Sequence, residues 1–289
     1  MTDQGRKVAE HWARLAVTFE GALRALECRG ILPQQARAGD LHGVDMIHMG
    51  GLAATDALAE LAGIAAGHRV LDVGSGVGGP ARRIASRFGA HVSGIELSPE
   101  LHDTAVRLTA LVRLSEAVQF AQGSALALAF GDSAFDVVIM QHVAMQISEK
   151  ERLFGEIARV VRPEGCVALH EVFAGEGELH YPLPWATEPA MSALETVSAC
   201  IDRLSRLGFD VGRFIDQSDD GRRFHQASIA AYDLALSSNA ETLGLAPDAA
   251  RARRAASLAM ERNLGLGSVR VGMIVARKRS AQPVGVPYQ

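Results

Sequence analysis

The residues that could do chemistry concentrate in one short stretch. An apolar run at 70–73 leads into closely spaced glycines, and a helical pattern follows at 81–88. This order predicts a buried strand, a tight turn and a helix N-terminus. Glycine suits such a turn because the backbone takes positive φ and a ligand can approach bare main chain. Since the N–H groups and dipole of a helix N-terminus favour an electronegative group, the stretch predicts a site for a nucleotide-like ligand.

One interpretation of this turn is a dinucleotide site. The spacing G-x-G-x-x-G is met by Gly74, Gly76 and Gly79. Glu96 follows about one strand later, where dinucleotide sites have an acidic residue for the ribose. On its own this match is weak, and the sequence has no assignable hydride-transfer site.

A second interpretation adds Asp72, which begins the pattern acidic-x-Gly-x-Gly-x-Gly that ends at Gly78. An acid two positions before the first glycine suits a ligand with an ammonium group, not a pyrophosphate. On these residues the sequence resembles the class I S-adenosylmethionine (SAM)-dependent methyltransferases. Residues 76–82 look like the tocopherol, sterol and sarcosine/dimethylglycine branches, and the resemblance covers residues 45–173. It implies SAM as the cofactor, in preference to a nicotinamide.

The resemblance also implies which residues contact SAM. Glu96, at the end of the predicted strand 91–96, would accept both ribose hydroxyls through charge-assisted hydrogen bonds; the alternative is a solvated glutamate. Ser124 stands where the family usually has an aspartate facing the adenine amino group, so backbone groups of Ala125 and Leu126 could make that contact instead. The full predicted set is Asp72, Gly74, Gly76, Gly78, Glu96, Leu97, Gly123, Ser124, Ala125, Gln141 and His142.

Three residues are candidates for catalysis: His142, His170 and Glu171. His142 follows the predicted fourth strand, and ligand crevices lie at the carboxyl ends of parallel strands. Its imidazole can act as a general base near neutral pH, or it only covers the methionine portion of SAM. His170 and Glu171 straddle the end of the predicted fifth strand, 166–172. One of them is expected to point into the crevice and the other towards packed helices.

Candidates for binding the methyl acceptor come from the more variable segments. The predicted set is His48, Met49, Met145, Tyr181, Trp185 and His225. The resemblance implies that His48 and Met49 border the SAM carboxylate or the acceptor. Tyr181 and Trp185 could stack on a flat or cationic acceptor, or anchor a loop. For His225 a surface position is favoured over contact with the acceptor.

A metal site is conceivable but disfavoured. His42, Asp45 and His48 have a spacing of three, which places them along one helix face. Glycines at 43, 50 and 51 argue for a turn instead, and nothing else supplies further ligands. No metal is expected.

Alternating strand and helix patterns at 69–172 predict right-handed βαβ units. The expected fold is α/β: a Rossmann-like, seven-stranded, mostly parallel sheet with an antiparallel last strand. Helical periodicity appears at 8–26, 52–61, 191–207, 221–236 and 247–264, and strands six and seven are predicted at 209–216 and 268–277. The predicted divisions are an N-terminal helical cap (1–65), a SAM-binding core (66–218), a helical lid insertion (219–267), and the final strand and tail (268–289).

Composition limits the class of protein. The chain has 289 residues, of which 48% are hydrophobic and 21% charged, as in ordinary soluble α/β proteins. Its net charge of −4 leaves no nucleic-acid footprint. Three unpaired cysteines predict a reducing, cytoplasmic setting, and no signal core or membrane span is expected. The expected partners are a small-molecule acceptor, with no nucleic acid and no membrane, in a monomer or homodimer.

The expected function is SAM-dependent methylation of an N or O nucleophile on a small molecule, such as a natural product or amine, in secondary metabolism. One alternative is methylation of carbon, on an isoprenoid or an aromatic ring. Two others are a non-catalytic SAM-fold binding protein and a nicotinamide oxidoreductase. Because the sulfonium methyl group is already activated, holding the nucleophile in line supplies most of the acceleration.

Overall fold

The computed structural model describes residues 3–238 and 240–280, whose strands form one mixed sheet. The strands are β1 Arg69–Val73, β2 His91–Glu96, β3 Val118–Gln122, β4 Phe135–Gln141, β5 Val161–Ala174, β6 Phe209–Val211, β7 Ile215–Asp216 and β8 Val269–Lys278. Their order is β3-β2-β1-β4-β5-β8-β6, and β7 also pairs with β8. The first five strands are parallel, and β8 runs antiparallel to its three partners.

Ten helices surround this sheet in the described part of the chain. They are α1 Asp3–Leu15, α2 Phe19–Cys28, α3 His42–Asp45, α4 Gly51–Ala62, α5 Gly79–Phe88, α6 Pro99–Leu111, α7 Lys150–Val160, α8 Val197–Arg206, α9 Ser218–Ser238 and α10 Pro247–Leu266. Short 3-10 turns lie at Pro33–Gln35, Ala38–Leu41, Ala144–Gln146, Pro189–Met191 and Ala240–Leu243. None of the helices described is long and apolar enough to span a membrane.

The central strands are buried on both faces, as parallel sheets require. Successive residues of β1 face opposite sides: Leu71 packs in a cluster with α7 and α8, whereas Val70 packs in a cluster with α4 and α5. The strand order reverses between β1 and β4, and ligands of open α/β sheets bind outside the carboxyl ends of the strands at this point.

The fold class is confirmed, with three local corrections. The helical pattern at 8–26 is two helices, because Thr18 caps α2 by accepting a hydrogen bond from the Gly21 amide at 3.0 Å. The helix predicted from 191 begins only at Val197, with Thr196 as its N-cap. The predicted strand 209–216 is two short strands, so the sheet has eight strands where seven were expected.

The N-terminal helices and the segment before β8 share a core. Val17 and Leu26 of the first part pack in one cluster with Leu245 and Ala250 of the second. A Cβ built on Gly21 would lie 2.2 Å from the carbonyl oxygen of Gly244, so the two backbones are in direct contact. The division of the chain into cap, core, lid and tail stays a prediction.

Candidate functional site

A cavity of about 450 Å³ opens at the carboxyl ends of β1–β4. Residues at the ends of these strands line it, together with residues of α1 and with Gln146 of the turn after β4. The lining includes Gln4, Val8, Ala9, Trp12, Asp45, Ile47, His48, Asp72, Gly74, Ser75, Gly76, Ile95, Glu96, Leu97, Gly123, Ser124, Ala125, Leu126, Gln141, His142, Val143, Gln146, Ile147 and Arg152. Ten of the eleven residues predicted to contact the cofactor are among them, and Gly78 is the exception.

The glycine turn takes the backbone conformation that the sequence predicts. Gly74, Gly76 and Gly78 have φ angles of 71°, 55° and 84°. Gly74 and Gly76 line the cavity. Gly78 does not: it is the N-cap of α5, and an added Cβ would lie 2.6 Å from the Phe120 ring and 2.7 Å from the Arg82 guanidinium. Gly78 therefore permits close packing behind the turn, and its predicted contact with the cofactor has no support in this placement.

Asp72 is the buried carboxylate beside this turn. Only 2% of the residue is exposed, and its Oδ2 atom has no hydrogen-bond partner. Burial, with a further contribution from the charge of Glu96, raises the pKa of Asp72 to about 7. An unpaired buried carboxylate is costly, so this side chain suits a cationic ligand group that would supply the missing partner.

Glu96 is held by backbone amides at the end of β2. Its Oε2 atom accepts a hydrogen bond from the Gly76 amide at 2.8 Å, and its Oε1 atom accepts one from the Ser98 amide at 2.9 Å. Burial raises the pKa of Glu96, and these amide bonds oppose that shift. Each carboxylate oxygen keeps a second lone pair, so the group can still accept hydrogen bonds from a diol.

The segment after β3 also lines the cavity, next to Glu96. The Gly123 amide donates to the Glu96 carbonyl oxygen at 2.8 Å. Ser124 lines the cavity, and its Oγ atom accepts a hydrogen bond from the Leu126 amide at 3.2 Å. The hydroxyl hydrogen of Ser124 is then free to turn towards another acceptor, while its role towards adenine stays a prediction.

His142 lies at the end of β4 in an unusual conformation. Its φ angle is 58°, which few residues other than glycine adopt. The His142 amide donates to the His170 carbonyl oxygen at 2.9 Å, and the Nε2 atom of His142 is buried without a partner. Burial, then the neighbouring histidines, holds the pKa of His142 well below its usual range. The imidazole is therefore neutral near pH 7, with an unpartnered ring nitrogen.

Two further histidines lie against His142. The ring centroids of His142 and His170 are 4.7 Å apart, and that of His48 lies 6.1 Å from each. Burial lowers the pKa of His48 to about 4 and, with the charge of His48, that of His170 to about 3. His48 lines the cavity, and its Nε2 atom lies 3.0 Å from the Thr55 hydroxyl. The cluster is neutral, which a sequence-based analysis of separate motifs did not predict.

The expectation that His170 or Glu171 points into the crevice is wrong, since neither side chain is among the residues that line the cavity. His170 packs behind His142. Both Glu171 carboxylate oxygens accept hydrogen bonds from backbone amides, with the Val143 amide at 3.0 Å and the Ala144 amide at 3.1 Å. Burial raises the pKa of Glu171 to about 8. Glu171 therefore fixes the loop that carries His142, and a catalytic role for either residue stays a prediction.

The predicted acceptor-binding residues divide into two groups. His48 faces the cavity, whereas Met49, Met145 and Trp185 are buried in one apolar cluster, which Tyr181 borders. Trp185 is 1% exposed, and its indole N–H donates to Ser192 Oγ at 3.2 Å. This placement favours the loop-anchoring alternative for Trp185.

His225 corrects a second expectation, because it is buried and not at the surface. Only 4% of the residue is exposed, and neither ring nitrogen has a partner. Burial lowers the pKa of His225 to about 4. A charge on His225 would also lower the pKa of His142.

The sequence did not predict the wall made by α1. Gln4, Val8 and Trp12 lie one helical turn apart and face the cavity. The Trp12 indole N–H donates to Gln146 Oε1 at 2.7 Å, which ties α1 to the turn after β4. The signal was a tryptophan on an amphipathic helix, which alone does not say what the helix packs against. In the described part of the chain, residues 219–267 do not line the cavity.

Asp45 also has a role that the sequence left open. Its Oδ2 atom accepts a hydrogen bond from the Arg82 guanidinium at 2.9 Å, and each side chain is 1% exposed. Arg82 in turn donates to the Val77 carbonyl oxygen at 2.8 Å. Asp45 is thus paired, through one of its two oxygens, with a buried arginine that holds the glycine turn.

Comparison with known proteins identifies the central part of this site. Residues 71–169 match the family described as methyltransferase domain. Sterol 24-C-methyltransferase erg-4 of Neurospora crassa is 30% identical over 56% of this chain and 45% of its own length. Methyltransferase GfsG of Streptomyces halstedii is 28% identical over 68% of this chain and 72% of its own length. The chain spans less than half of the sterol relatives it matches.

Two solved structures have the same fold. The [4+2]-cyclase SpnF is 26% identical, with a TM-score of 0.66 over 80% of this chain and 82% of that one. Geranyl diphosphate C-methyltransferase of Streptomyces coelicolor A3(2), in complex with Mg²⁺, geranyl diphosphate and S-adenosyl-L-homocysteine, is 17% identical. Its TM-score is 0.68 over 96% of this chain and 98% of that one.

Proposed function

We propose that this chain, whose residues 71–169 match the methyltransferase domain family, binds SAM and transfers its methyl group to a small-molecule acceptor. The observation that supports this most is Asp72, whose buried Oδ2 atom has no partner at the wall of the cavity. SAM offers an ammonium group, a ribose diol and an adenine amine, and the cavity has one kind of acceptor for each.

The residues present fit those three groups. Asp72 would accept from the ammonium, and Glu96, already oriented by the amides of Gly76 and Ser98, would accept from the ribose hydroxyls. The segment Gly123 to Ala125 would contact adenine, with Ser124 in the place of an aspartate. A dinucleotide fits less well, since a pyrophosphate near Asp72 would meet a buried carboxylate with no cation to offset it.

We place the acceptor nucleophile, nitrogen or oxygen, beside His142. When bound, SAM supplies an activated methyl group, and the bond from sulfur to methyl breaks as the bond from methyl to the nucleophile forms. The proton that the nucleophile loses passes to Nε2 of His142, which is buried, unpartnered and neutral. Relatives named as sterol C-methyltransferases keep carbon as the alternative accepting atom.

Two measurements test this function. Calorimetry should show binding of SAM and no comparable binding of NADH. Incubation with methyl-labelled SAM and a metabolite panel should then give a labelled product and S-adenosylhomocysteine. A folded protein that binds NADH and not SAM would overturn the cofactor assignment, and one that binds SAM but labels nothing would favour a non-catalytic SAM-fold binding protein.

A second candidate function is supported by the 26% identity to a [4+2]-cyclase. A chain of this fold that closes a ring would convert its substrate to an isomer with no added methyl group. Mass spectrometry of the same incubations distinguishes the two functions, because methyl transfer adds one CH₂ to the product mass and cyclisation adds nothing.

A further inference from the structure

The cavity has a charge distribution that bears on the acceptor. Asp45, Asp72 and Glu96 are its carboxylates. Asp45 is paired with Arg82, Glu96 is held by backbone amides, and Asp72 is assigned to the ammonium group of SAM. The Oδ1 atom of Asp45 has no hydrogen-bond partner, but the Arg82 guanidinium already balances the charge of that carboxylate. Among the described lining residues, no carboxylate is therefore left with an unbalanced charge for an amine on the acceptor.

The cavity lining also has little positive charge with which to bind an anion. Over residues 3–238 and 240–280, Arg152 is the one Lys or Arg side chain that lines it. That side chain is 57% exposed and lies 3.9 Å from Glu149, so it belongs to the mouth of the cavity and already has an acidic neighbour. His48 and His142 are the other ionisable groups on this side, and burial keeps both neutral at pH 7.

The wall that remains is apolar with a few neutral polar groups. Its apolar lining includes Val8 and Ala9 of α1, Ile47 and Ile147, and Trp12 lines the same cavity. The bond from the Trp12 indole to Gln146 fixes the orientation of that ring at 2.7 Å. A fixed aromatic face of this kind binds flat or branched apolar groups.

The free-energy cost of burying an unpaired charge determines which acceptors can bind against this apolar lining. A phosphate or carboxylate taken from water into this half would have no fixed cation, and an unpaired buried charge costs several kcal/mol. An ordinary aliphatic amine is protonated at pH 7, and its positive charge would find no unpaired carboxylate beside it in the cavity. A hydroxyl group carries no charge and can donate its hydrogen bond to Nε2 of His142, which lacks a partner.

We propose that the acceptor is an uncharged, largely apolar molecule that presents a hydroxyl group to His142 and packs its body on Trp12. This inference rests on the proposed methyltransferase function and names the substrate class of that site. It separates this chain from the structural neighbour crystallised with geranyl diphosphate, whose ligand carries a diphosphate.

The test uses the fluorescence of Trp12 to report binding of the acceptor. The chain has two tryptophans, so a Trp185→Phe protein emits from Trp12 alone. Loaded with S-adenosylhomocysteine, it is titrated with phenols and terpene alcohols, each paired with its own phosphate monoester. The same pairs are offered to the wild-type protein with methyl-labelled SAM. We expect the free alcohols or phenols to change the Trp12 emission and to be methylated, and their phosphates to bind about tenfold more weakly or worse.

Variants of Trp12 make the test residue-specific. Trp12→Ala should raise KM for a methylated alcohol about tenfold and leave SAM affinity within about twofold, whereas Trp12→Phe should retain most of the wild-type value. Equal or tighter binding of a phosphate than of its parent alcohol would overturn the proposal. So would a protein that binds S-adenosylhomocysteine normally and accepts no uncharged compound. A protein that does not bind SAM or its product at all would instead refute the proposed function.

Discussion

Glu96 is bonded to the turn that follows a different strand: its Oε2 atom accepts a hydrogen bond from the Gly76 amide at 2.8 Å. The end of β2 and the glycine turn after β1 are thereby fixed to each other, and the Ser98 amide holds the second carboxylate oxygen. A ligand group placed against Glu96 therefore meets a carboxylate that is already oriented, which lowers the entropy lost on binding.

Replacement of Glu96 should weaken SAM binding and stability together. Glu96→Ala removes the predicted ribose contacts, and hydrogen bonds to a charged group suggest a loss of about 2–4 kcal/mol in binding free energy. Calorimetry with SAM on the folded variant measures this, with Glu116→Ala, an exposed glutamate, as the control. Unchanged affinity in a folded Glu96→Ala protein contradicts the assignment of the ribose site.

Asp72 should make SAM affinity depend on pH. Its pKa in the free protein is about 7, and an ammonium ligand binds the ionised form. Affinity should therefore fall as pH is lowered from 8 to 6, and in Asp72→Asn it should be weak and nearly constant over that range. An Asp72→Asn protein that binds SAM as tightly as wild type contradicts this.

Asp72 should also make folding stability depend on pH, but in the opposite direction: its contribution to stability falls as pH rises. Its pKa is raised from an ordinary 3.8 to about 7, so the folded state holds the proton more tightly than the unfolded state does. The contribution of Asp72 to stability is full below pH 3.8 and is lost as pH rises to about 7. Thermal unfolding should show Asp72→Asn gaining stability relative to wild type at pH 8 compared with pH 4.

His142 should determine turnover and not cofactor affinity. Removal of a general base costs about 10²–10⁴-fold in rate. His142→Asn is the preferred variant, because asparagine tolerates the positive φ of 58° at this position and cannot take the proton. Single-turnover methyl transfer should drop in His142→Asn and in His142→Gln, with SAM affinity within a few fold. Near wild-type rates in both would make His142 a lining residue.

Ser124 tests the adenine side of the cavity. Ser124→Ala should weaken SAM binding by about 1 kcal/mol, in part because the hydroxyl also accepts from the Leu126 amide. Ser124→Asp keeps an acceptor for that amide and should preserve or tighten binding. Calorimetry that finds no binding by a folded Ser124→Asp protein would move the adenine site elsewhere.

The pair of Asp45 and Arg82 should be worth far more to stability than an exposed pair. Asp45→Ala leaves the Arg82 guanidinium buried without its partner, which costs about 3–5 kcal/mol. Asp103→Ala, which breaks an i,i+4 pair with Arg107 at the surface, should cost less than about 0.5 kcal/mol. Denaturant unfolding of both variants measures the difference, and similar losses would show that burial of the pair does not matter.

Local patterns predicted where the residues of the glycine turn and the end of β2 lie. The turn at Gly74 and Gly76, the acid at Glu96 and the cap at Ser98 each depend on residues close together in the chain, so their chemistry is visible in the sequence. The same holds for the strand after which His142 lies. The order of apolar runs and glycines along the chain was enough to predict these features.

The acceptor half depends on contacts between distant residues, and the sequence predicted little of it. Trp12 meets Gln146 across more than a hundred residues, and periodicity says only that a helix has an apolar face. A surface position was favoured for His225, whereas the packing of α9 buries it. Glu171 looked catalytic by position, and only the loop amides that it holds show its structural role.

Strand β8 also affects how the chain can fold. It pairs with β5 on one side and with β6 and β7 on the other, although β5 ends at Ala174 and β8 begins at Val269. During synthesis the hydrogen-bonding edge of β5 therefore stays open until the segment 269–278 has been made. Pairing so remote in sequence is slow, and an open edge can recruit a wrong strand. Aggregation of incomplete or newly made chains should start at β5.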